Sequence, residues 1–534
     1  MEKGHVKIVI AAVALIIVGL ASILVFGSSR GRGITLSSLY PSVLAESAVE
    51  MRWDARLWPL GLSLCICTAG LLLSAGGRKA QSFRLAAVVL LMLATGLASL
   101  WSANPLTTIV CWAFYDLVFT TGLVVTGSRK EDALRSLALG SGASLFLWVG
   151  VLVAGGGIGS VQWQLIPPDG TKVSLWMLAG LLRLGAYPLH LSFPRHMPSD
   201  SPLVGAFYLS PVLGWGLWIR LALISDQMLP VASWMIIPAM LTLAGGAVLG
   251  WTANPPQASR SWISLGGNGA LLLATVLSSI TWNGSRGARG ETVVAAMTLG
   301  AMGWMLGTSM LFLGGGVHFK QSLRSGTWVR IIPSIVGALS LIGAPATVGF
   351  VAESGLLGSL VGSGRWGWAV SFAISQVLLV AAVVRWLLAP GCARPRESGL
   401  LAKVVSGVGM IGLAVSAVFV GVVPGRFFSG IDGPFPAWNA LLAAPGLAGW
   451  LLWGGAVALG GMLAWGDKAL RPRISLWLDA VHDIVLLDWA YDLLIGAVEQ
   501  GFALLRVLDD VVGGRGAFLW AGVILLILIL VSGG

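Results

Sequence analysis

Leu181-Leu182-Arg183-Leu184-Gly185-Ala186-Tyr187-Pro188-Leu189-His190 is the stretch that decides the fold. It is an apolar segment that carries a charge and is interrupted by a proline. A charged side chain in hydrocarbon costs about 2.5–3.5 kcal/mol on insertion scales. A proline in a membrane helix frees backbone groups that need partners in protein or water. Both costs falling on one segment indicate an internal polar pathway for ions.

A second stretch repeats this arrangement. It begins at Gly343-Ala344-Pro345 and ends at Gly349-Phe350-Val351-Ala352-Glu353. Again a proline interrupts an apolar segment and a charged residue follows it. The two stretches predict two broken membrane helices, with the breaks at Pro188 and Pro345. Together they favour a transporter.

The composition excludes a soluble domain. The chain has 534 residues, of which 56% are hydrophobic and only 10% charged, and its mean hydropathy is +0.88. Such a composition is typical of an all-α polytopic membrane protein. About 15 segments are long and apolar enough to span a membrane. They lie near 10–26, 57–75, 83–101, 104–126, 134–155, 174–193, 202–224, 232–251, 259–280, 291–314, 332–362, 367–390, 402–424, 447–465 and 515–532.

The formal net charge of +11 reflects membrane topology rather than a nucleic-acid partner. Most Lys and Arg residues fall in loops on one side, and the positive-inside rule makes that side cytoplasmic. We therefore expect a multi-pass protein of the cell inner (plasma) membrane with a cytoplasmic N-terminus. An odd number of spans places the C-terminus outside. These basic loops lie at 78–84, 129–135, 320–330, 394–403 and 468–473.

The order of the spans predicts two inverted repeats. The broken segments are the sixth and eleventh spans, so each repeat holds five helices and the two repeats face opposite ways, as in many secondary transporters. The predicted parts are N-terminal helices (1–82), a first repeat (83–224), a second repeat (232–390), C-terminal core helices (391–466) and a last part (467–534).

The last part predicts a lateral helix and a final anchor. Asp479, Asp483, Asp488 and Asp492 recur at helical spacing between apolar residues, which is typical of an amphipathic helix at a membrane surface. This helix is expected to start at residue 468 and to kink at Gly496 and Gly501. An apolar segment at 515–532 then predicts a terminal transmembrane anchor.

Several motifs resemble those of one known family, the antiporter-like proton-channel subunits of respiratory complex I, Mrp antiporters and membrane-bound hydrogenases. The resemblance covers most of the chain from about residue 50, and Glu353 is the choice of M-type subunits, while the lateral helix resembles that of L-type subunits. The motifs are Phe114-Tyr115-Asp116-Leu117, Arg183 with Pro188-Leu189-His190 and Phe193-Pro194, Leu311 to Gly316 with His318, and Gly349 to Glu353.

The resemblance implies a row of functional residues in the membrane. In this scheme a carboxylate and a basic residue pair within each half, and moving them apart drives a proton along a central row. The implied proton-pathway residues are Asp116, Arg183, His190 and Glu353, and the central positions, a possible water wire, are Tyr208 and Thr308.

Arg183 departs from the family, which has lysine at this position. Burial readily lowers the pKa of a lysine, whereas the pKa of arginine exceeds about 12 and arginine stays protonated in proteins. Arg183 can therefore neutralise Asp116 but cannot release a proton. Either protons pass by carboxylates, waters and His190, or the subunit has lost pumping and keeps the fold.

Each of these residues also has a purely structural interpretation. Asp116 can serve as a helix-to-helix hydrogen-bond acceptor, and Arg183 can hold the carbonyls of the broken helix. Tyr208 and Thr308 can be core packing. Two further arginines near helix ends, Arg220 and Arg385, are interpreted as anchors that extend to the membrane surface.

The leading hypothesis is a proton-translocating, antiporter-like subunit of a redox-driven complex related to complex I. The alternatives are a subunit of a cation/proton antiporter or of an inorganic-carbon uptake transporter, and a structural subunit that does not pump. No flavin, quinone or nucleotide motif is present, and the four cysteines lack metal-site spacing, so we expect neither a cofactor nor a metal. The expected partners are other membrane subunits, lipids and protons, but no nucleic acid.

Overall fold

The computed structural model describes residues 10, 13–21, 35–39, 49–52, 56–76, 83–154, 161–166, 170–190, 193–194, 201–224, 233–281, 288–313, 328–362, 364–389, 399–424, 438–493, 496, 499–500 and 503. Nearly all of them are helical. The helices are α1 (Trp58–Gly76), α2 (Phe83–Leu100), α3 (Pro105–Val125), α4 (Lys130–Val153), α5 (Gly170–Leu184), α6 (Val212–Ile224, preceded by a 3₁₀ segment, Pro202–Leu209), α7 (Ile236–Thr252), α8 (Ser259–Thr281), α9 (Ala288–Leu313), α10 (Trp328–Leu341), α11 (Gly349–Gly362), α12 (Trp366–Leu388), α13 (Gly399–Val422), α14 (Trp438–Ala443) and α15 (Gly446–Leu486).

The helices confirm a multi-pass membrane fold. Within the described residues, nine helices are long and apolar enough to cross a membrane, and three shorter apolar helices accompany them, at Ile236–Thr252, Ile331–Leu341 and Gly349–Gly362. The last two are the halves of the second broken helix. The predicted anchor at 515–532, the motif residues from Gly314 to His318 and Cys392 lie outside the described residues.

A small β-hairpin departs from the all-α prediction. Strands β1 (Thr35–Leu39) and β2 (Val49–Arg52) pair antiparallel. β2 also holds the connection between α2 and α3, because Arg52 N donates to Trp101 O at 2.7 Å and Ala103 N donates to Glu50 O at 2.9 Å. The hairpin therefore satisfies backbone groups at a helix end that would otherwise be unpaired.

Both broken helices end in the same way. At the end of α5, Gly185 has φ of +66° and Ala186 N donates to Leu181 O at 3.1 Å. At the end of α10, Gly343 has φ of +64° and Ala344 N donates to Leu339 O at 2.8 Å. This is the Schellman motif, in which a left-handed residue, usually glycine, terminates the helix.

The glycines, rather than the prolines, terminate these helices. The breaks were predicted at Pro188 and Pro345, but both prolines lie two or three residues beyond the glycines. A proline in this position cannot continue a helix, since it lacks a backbone N–H. Glycine thus ends each helix and proline keeps it from resuming.

Glycines also let α7 and α8 pack closely. A Cβ atom added at Gly246 would collide with the backbone of Gly266, and one at Gly269 would collide with the backbone of Leu243. Small residues allow such close approach between membrane helices. The polar residues of α8 are therefore carried directly against the first broken helix and its neighbours.

The chain divides into two compact units, Met1–Arg473 and Ile474–Gly534. The lateral helix was expected to begin at residue 468, but α15 is continuous through that position and through Pro472. It ends before Leu487, which has φ of +61°, and residues 488–493 are helical again. Among the described residues the helix is therefore interrupted at Leu487; Gly501 and both chain neighbours of Gly496, where kinks were predicted, lie outside the described residues.

Candidate functional site

The first break carries a buried ion pair. Asp116 lies in the middle of α3 and Arg183 in the last turn of α5, and the two are 6% and 9% exposed. Arg183 Nη1 donates to Asp116 Oδ1, and Nη2 donates to Oδ2 at 2.8 Å. This two-point geometry is the strongest form of the arginine–carboxylate contact. The predicted contact between the two residues is confirmed, while their role in a proton pathway stays a prediction.

The pair is held from three further directions. Arg183 Nη2 also donates to Gly140 O at 3.1 Å and to Ser144 Oγ at 3.2 Å, both on α4. The Arg183 guanidinium carbon lies 4.5 Å from the centre of the Trp112 ring, a cation–π contact. These contacts fix the guanidinium in place, so the first break holds a rigid neutral pair.

His190 lies just beyond the first break and is fully buried. Its Nδ1 is 3.0 Å from Pro188 O, and its ring stacks on Tyr187 with the ring centres 5.0 Å apart. The edge of the Trp262 ring also contacts it, at 5.8 Å between centres. The histidine is thus packed between aromatic rings at the turn that follows α5.

The second break carries a buried acid with a neutral partner. Glu353 lies in α11 and is 4% exposed. Gln376 Nε2 on α12 donates to Glu353 Oε1 at 3.2 Å and to Ile342 O at 3.0 Å. Trp453 Nε1 on α15 donates to the same carbonyl at 3.2 Å. Among the described residues no basic side chain pairs with Glu353, so the two breaks differ in their charge.

The two central positions have different surroundings. The Tyr208 ring stacks on Phe312, with the ring centres 4.1 Å apart, and contacts Phe193 edge-on at 5.3 Å. The guanidinium of Arg260 lies 5.0 Å from the centre of the Phe312 ring. Arg260 is the second residue of α8 and places a positive charge beside this aromatic cluster; it was not predicted from the sequence.

Thr308 belongs to a polar group between α8 and α9. Its Oγ1 lies 2.7 Å from Ser264 Oγ, and Trp304 Nε1 donates to Ser264 O at 2.7 Å. All three residues are buried. The contact pairs Thr308 with a hydroxyl group of the neighbouring helix inside the buried core.

Asn268 is a site residue that the sequence analysis missed. It lies one turn after Ser264 on α8, is fully buried, and donates through Nδ2 to Leu184 O at 2.7 Å. Trp215 Nε1 donates to its Oδ1 at 2.9 Å. The Leu184 carbonyl is freed by the first break, so Asn268 satisfies it much as Gln376 satisfies Ile342. The sequence signal was an asparagine in the middle of a membrane segment.

Arg220 and Arg385 are not anchors at the membrane surface, so that prediction was wrong. They are 5% and 8% exposed. Arg220 Nη2 donates to Ser99 O at 2.9 Å and to Leu100 O at 2.7 Å, at the end of α2. Arg385 Nη1 donates to two carbonyls at the end of α7, at 2.6 and 2.7 Å. The reason is electrostatic, because the last carbonyls of a helix lack partners and attract positive charge.

Arg385 also joins a second cluster that the sequence analysis missed. Its Nε lies 3.1 Å from Asp467 Oδ2, and Arg471 Nε lies 3.2 Å from the same oxygen. Arg471 Nη2 donates to Trp251 O at 2.7 Å. One carboxylate between two guanidinium groups thus joins α12 and α15 to the end of α7.

No metal centre is present among the described residues, where no three His, Cys, Asp or Glu side chains lie together. Cys65, Cys67 and Cys111 are buried free thiols. The chemistry that the described site offers is therefore that of ion pairs, hydrogen bonds and a buried acid.

Proteins with similar sequences indicate what this chain resembles. No protein-family model matches it. It is 25% identical over 325 residues to the NADH-quinone oxidoreductase subunit N of Chromohalobacter salexigens. The matched region covers 55% of this chain and 66% of that subunit. It is 27% identical over 270 residues to the subunit N of Cupriavidus taiwanensis, covering 45% of this chain and 54% of the relative. The chain thus spans between about a half and two thirds of the length of these relatives.

Solved structures share the fold over a longer range. A chain of the Mrp complex from Dietzia sp. DQ12-45-1b matches with a TM-score of 0.72 at 16% identity, covering 99% of this chain and 62% of that one. A chain of the membrane-bound sulfane sulfur reductase, an archaeal respiratory membrane complex, matches with 0.70 at 16% identity, covering 99% and 98%. A chain of respiratory complex I from Thermus thermophilus matches with 0.61 at 16% identity, covering 85% and 99%. The chain is thus similar in sequence to subunit N of NADH-quinone oxidoreductases and in fold to chains of these three membrane complexes.

Proposed function

We propose that the chain is a proton-translocating, antiporter-like subunit of a redox-driven membrane complex related to complex I. The observation that carries this proposal is a pair of broken helices, each with a buried acid beside the break. Asp116 lies beside the first break and Glu353 beside the second. Acids in a membrane interior are costly and usually functional. The named relatives are subunits of an NADH-quinone oxidoreductase.

In this proposal the two halves have different tasks. Arg183 holds Asp116 in a fixed two-point pair, so the first half supplies a polar but invariant lining. Glu353 has only a neutral amide partner among the described residues, so it is the group that takes up and releases the proton. His190, Tyr208 and Thr308 are the proposed relay or water-wire positions.

We further propose that residues 83–224 and 232–390 are inverted five-helix repeats. One support is the shared Schellman motif at Gly185 and Gly343. Another is a short sequence repeat at the start of each half, which precedes α3 and α8. Trp101-Ser102-Ala103-Asn104-Pro105 corresponds to Trp251-Thr252-Ala253-Asn254-Pro255.

The buried arginines give a third support for the repeats. Arg220 on α6 donates to carbonyls at the end of α2, the first helix of its repeat. Arg385 on α12 donates to carbonyls at the end of α7, the first helix of the other repeat. In both halves the last helix thus satisfies the end of the first. Each repeat holds an odd number of helices. The second repeat therefore starts on the opposite side of the membrane and is inverted with respect to the first.

The topology and the partners belong to the same proposal. Fifteen spans and the bias of the basic loops favour a cytoplasmic N-terminus and an external C-terminus in the cell inner membrane. The described residues after Arg473 include exposed apolar side chains, such as Leu476, Trp477 and Trp489, beside exposed Asp479 and Asp483. An amphipathic surface of this kind suits a lateral helix that docks on other membrane subunits.

A non-pumping structural subunit is the second candidate, and Arg183 is the observation that favours it. Arginine in place of lysine removes the titratable amine that the resemblance expects in the first half. The subunit would then keep the fold and a permanent Asp116–Arg183 ion pair. Its role would be to seal the membrane part of a complex.

Proton flux in the intact complex distinguishes the two functions. The complex is purified with its partners, the partners are identified by mass spectrometry, and the complex is reconstituted into vesicles. Glu353→Gln should remove most of the proton flux per redox turnover while the complex stays assembled. Glu131→Gln, on the exposed first turn of α4, is the matched control and should leave flux unchanged. Unchanged flux with Glu353→Gln would favour the structural subunit.

A further inference from the structure

Gln376 joins the two halves of the second broken helix. It lies on α12, the helix that follows the second half of the broken helix along the chain, and it is fully buried. Its Nε2 donates to Ile342 O, the carbonyl at the end of α10, at 3.0 Å and to Glu353 Oε1, on α11, at 3.2 Å. Both amide hydrogens are thus used, one on each half.

The amide oxygen of Gln376 is in a different situation. Oε1 is buried and accepts no hydrogen bond within the described part of the chain. A buried acceptor without a donor is costly, and such atoms are rare in folded proteins. Exchanging the amide nitrogen and oxygen does not remove this cost, because Oε1 would then face the Ile342 carbonyl, another acceptor. The Ile342 carbonyl therefore fixes the orientation of the amide.

The missing donor is one that Glu353 can supply. A carboxylate has acceptors only, whereas a protonated carboxyl group has one O–H donor. An amide and a carboxylic acid close a ring of two hydrogen bonds, from N–H to the acid carbonyl and from acid O–H to the amide carbonyl. The first of these bonds is present, between Gln376 Nε2 and Glu353 Oε1. A proton on the other carboxyl oxygen of Glu353 would form the second.

We propose that Gln376 is a positioning residue that holds Glu353 in its protonated form through this ring of two hydrogen bonds. The proposal rests on the proposed function, in which Glu353 takes up the transported proton. When the proton binds, it bonds to the free oxygen of the Glu353 carboxylate and is shared by hydrogen bond with Gln376 Oε1. When the proton leaves, Gln376 keeps only its donor contacts. The amide thereby makes the second break a specific binding site for a proton rather than an unspecific polar region.

Infrared spectroscopy of the purified complex tests this directly, since a protonated carboxyl group has its own C=O stretching band. The wild-type complex should show a band that is lost in Glu353→Gln. In Gln376→Met this band should move to higher wavenumber, because the acid loses both hydrogen bonds. Gln376→Asn keeps an amide that is one methylene too short for both contacts, so it should give the same shift with milder packing changes. Ser375→Ala, whose hydroxyl bonds only its own helix at Ser371 O, should leave the band in place.

Each outcome bears on the proposal independently of transport. An unmoved band in both Gln376 variants would overturn it, as would the absence of any band that depends on Glu353. Loss of the wild-type band on addition of NaCl would also overturn it, because the carboxyl group of Glu353 would then have exchanged its proton for a sodium ion. Proton flux that persists in Glu353→Gln would refute the proposed function while leaving the shifted band, and hence the ring, intact.

Discussion

Gly140 lies directly against the carboxylate of Asp116, so that a Cβ atom on Gly140 would stand 2.6 Å from Asp116 Oδ1. The same glycine offers its carbonyl to Arg183. One residue of α4 therefore leaves room for the acid and binds the base. The Asp116–Arg183 pair depends on the absence of a side chain at this position.

Gly140→Ala should destabilise the protein despite the better helix propensity of alanine. Overpacking in a closed site typically costs about 1–3 kcal/mol, which exceeds the roughly 1 kcal/mol that alanine gains over glycine in a helix. Thermal unfolding in detergent, followed by tryptophan fluorescence, measures the difference. Gly142→Ala is the control, because nothing lies within 4 Å of a Cβ atom there. Equal melting temperatures for the two variants would contradict the tight fit at Gly140.

Asp116→Asn should cost about 3–5 kcal/mol of stability, because it leaves the charge of Arg183 buried and uncompensated. The double variant Asp116→Leu/Arg183→Met should recover much of that loss, since replacing both members of a buried pair by apolar residues is often close to neutral. The melting temperatures of the single and double variants check this. Additive losses would mean that the two charges do not stabilise each other.

Arg183→Lys separates architecture from mechanism. Lysine keeps the charge, loses the two-point contact with Asp116 and introduces an amine that can release its proton. We expect a small loss of stability and a modest change in the pH profile of proton flux. A pH profile identical to that of the wild type would show that the first break is only structural.

Asp467→Asn should loosen the attachment of α15. Without this carboxylate, Arg385 and Arg471 lie side by side on the end of α7 with no negative charge between them. The cluster is largely buried, so we expect a loss on the order of 1–3 kcal/mol. Asp479→Asn, at an exposed position, should leave stability within about 0.5 kcal/mol of the wild type. Proteolysis near residue 467 reports the loosening, and equal cleavage of both variants would argue against it.

Tags test the proposed topology. A tag at Met1 and one inserted within 78–84 should be accessible from the cytoplasm, and one at Gly534 from outside, because the basic loops favour the cytoplasmic side. Labelling intact cells with an impermeant reagent measures this. Finding both termini on one side would require an even number of spans.

Part of this site could be predicted from sequence. Asp116, Arg183 and Glu353 were recognised because each is a charge in an apolar segment, and a buried charge requires a partner. The partner of Glu353 was not recognised, since Gln376 lies on another helix and a single glutamine carries no pattern. The glycines that end α5 and α10 were overlooked beside the more conspicuous prolines.

Other features depend on distant contacts that no local pattern reports. Arg220 and Arg385 were interpreted as surface anchors because each lies near the end of its own helix. In the structure each binds the end of a helix more than 100 residues away in sequence. The repeated Trp-x-Ala-Asn-Pro motif was readable in the sequence and is a further argument for the proposed correspondence of the two halves.

The neutral pairing of Asp116 with Arg183 has a consequence for the response to voltage. An electric field exerts no net force on two opposite charges that stay together, whereas moving one elementary charge across a membrane takes about 2.3 kcal/mol per 100 mV. Of the two breaks, the one that contains Glu353 offers the field an unbalanced charge when Glu353 has released its proton. Uptake and release of the proton at Glu353 would then make the second break sensitive to voltage, while the first break stays electrically silent.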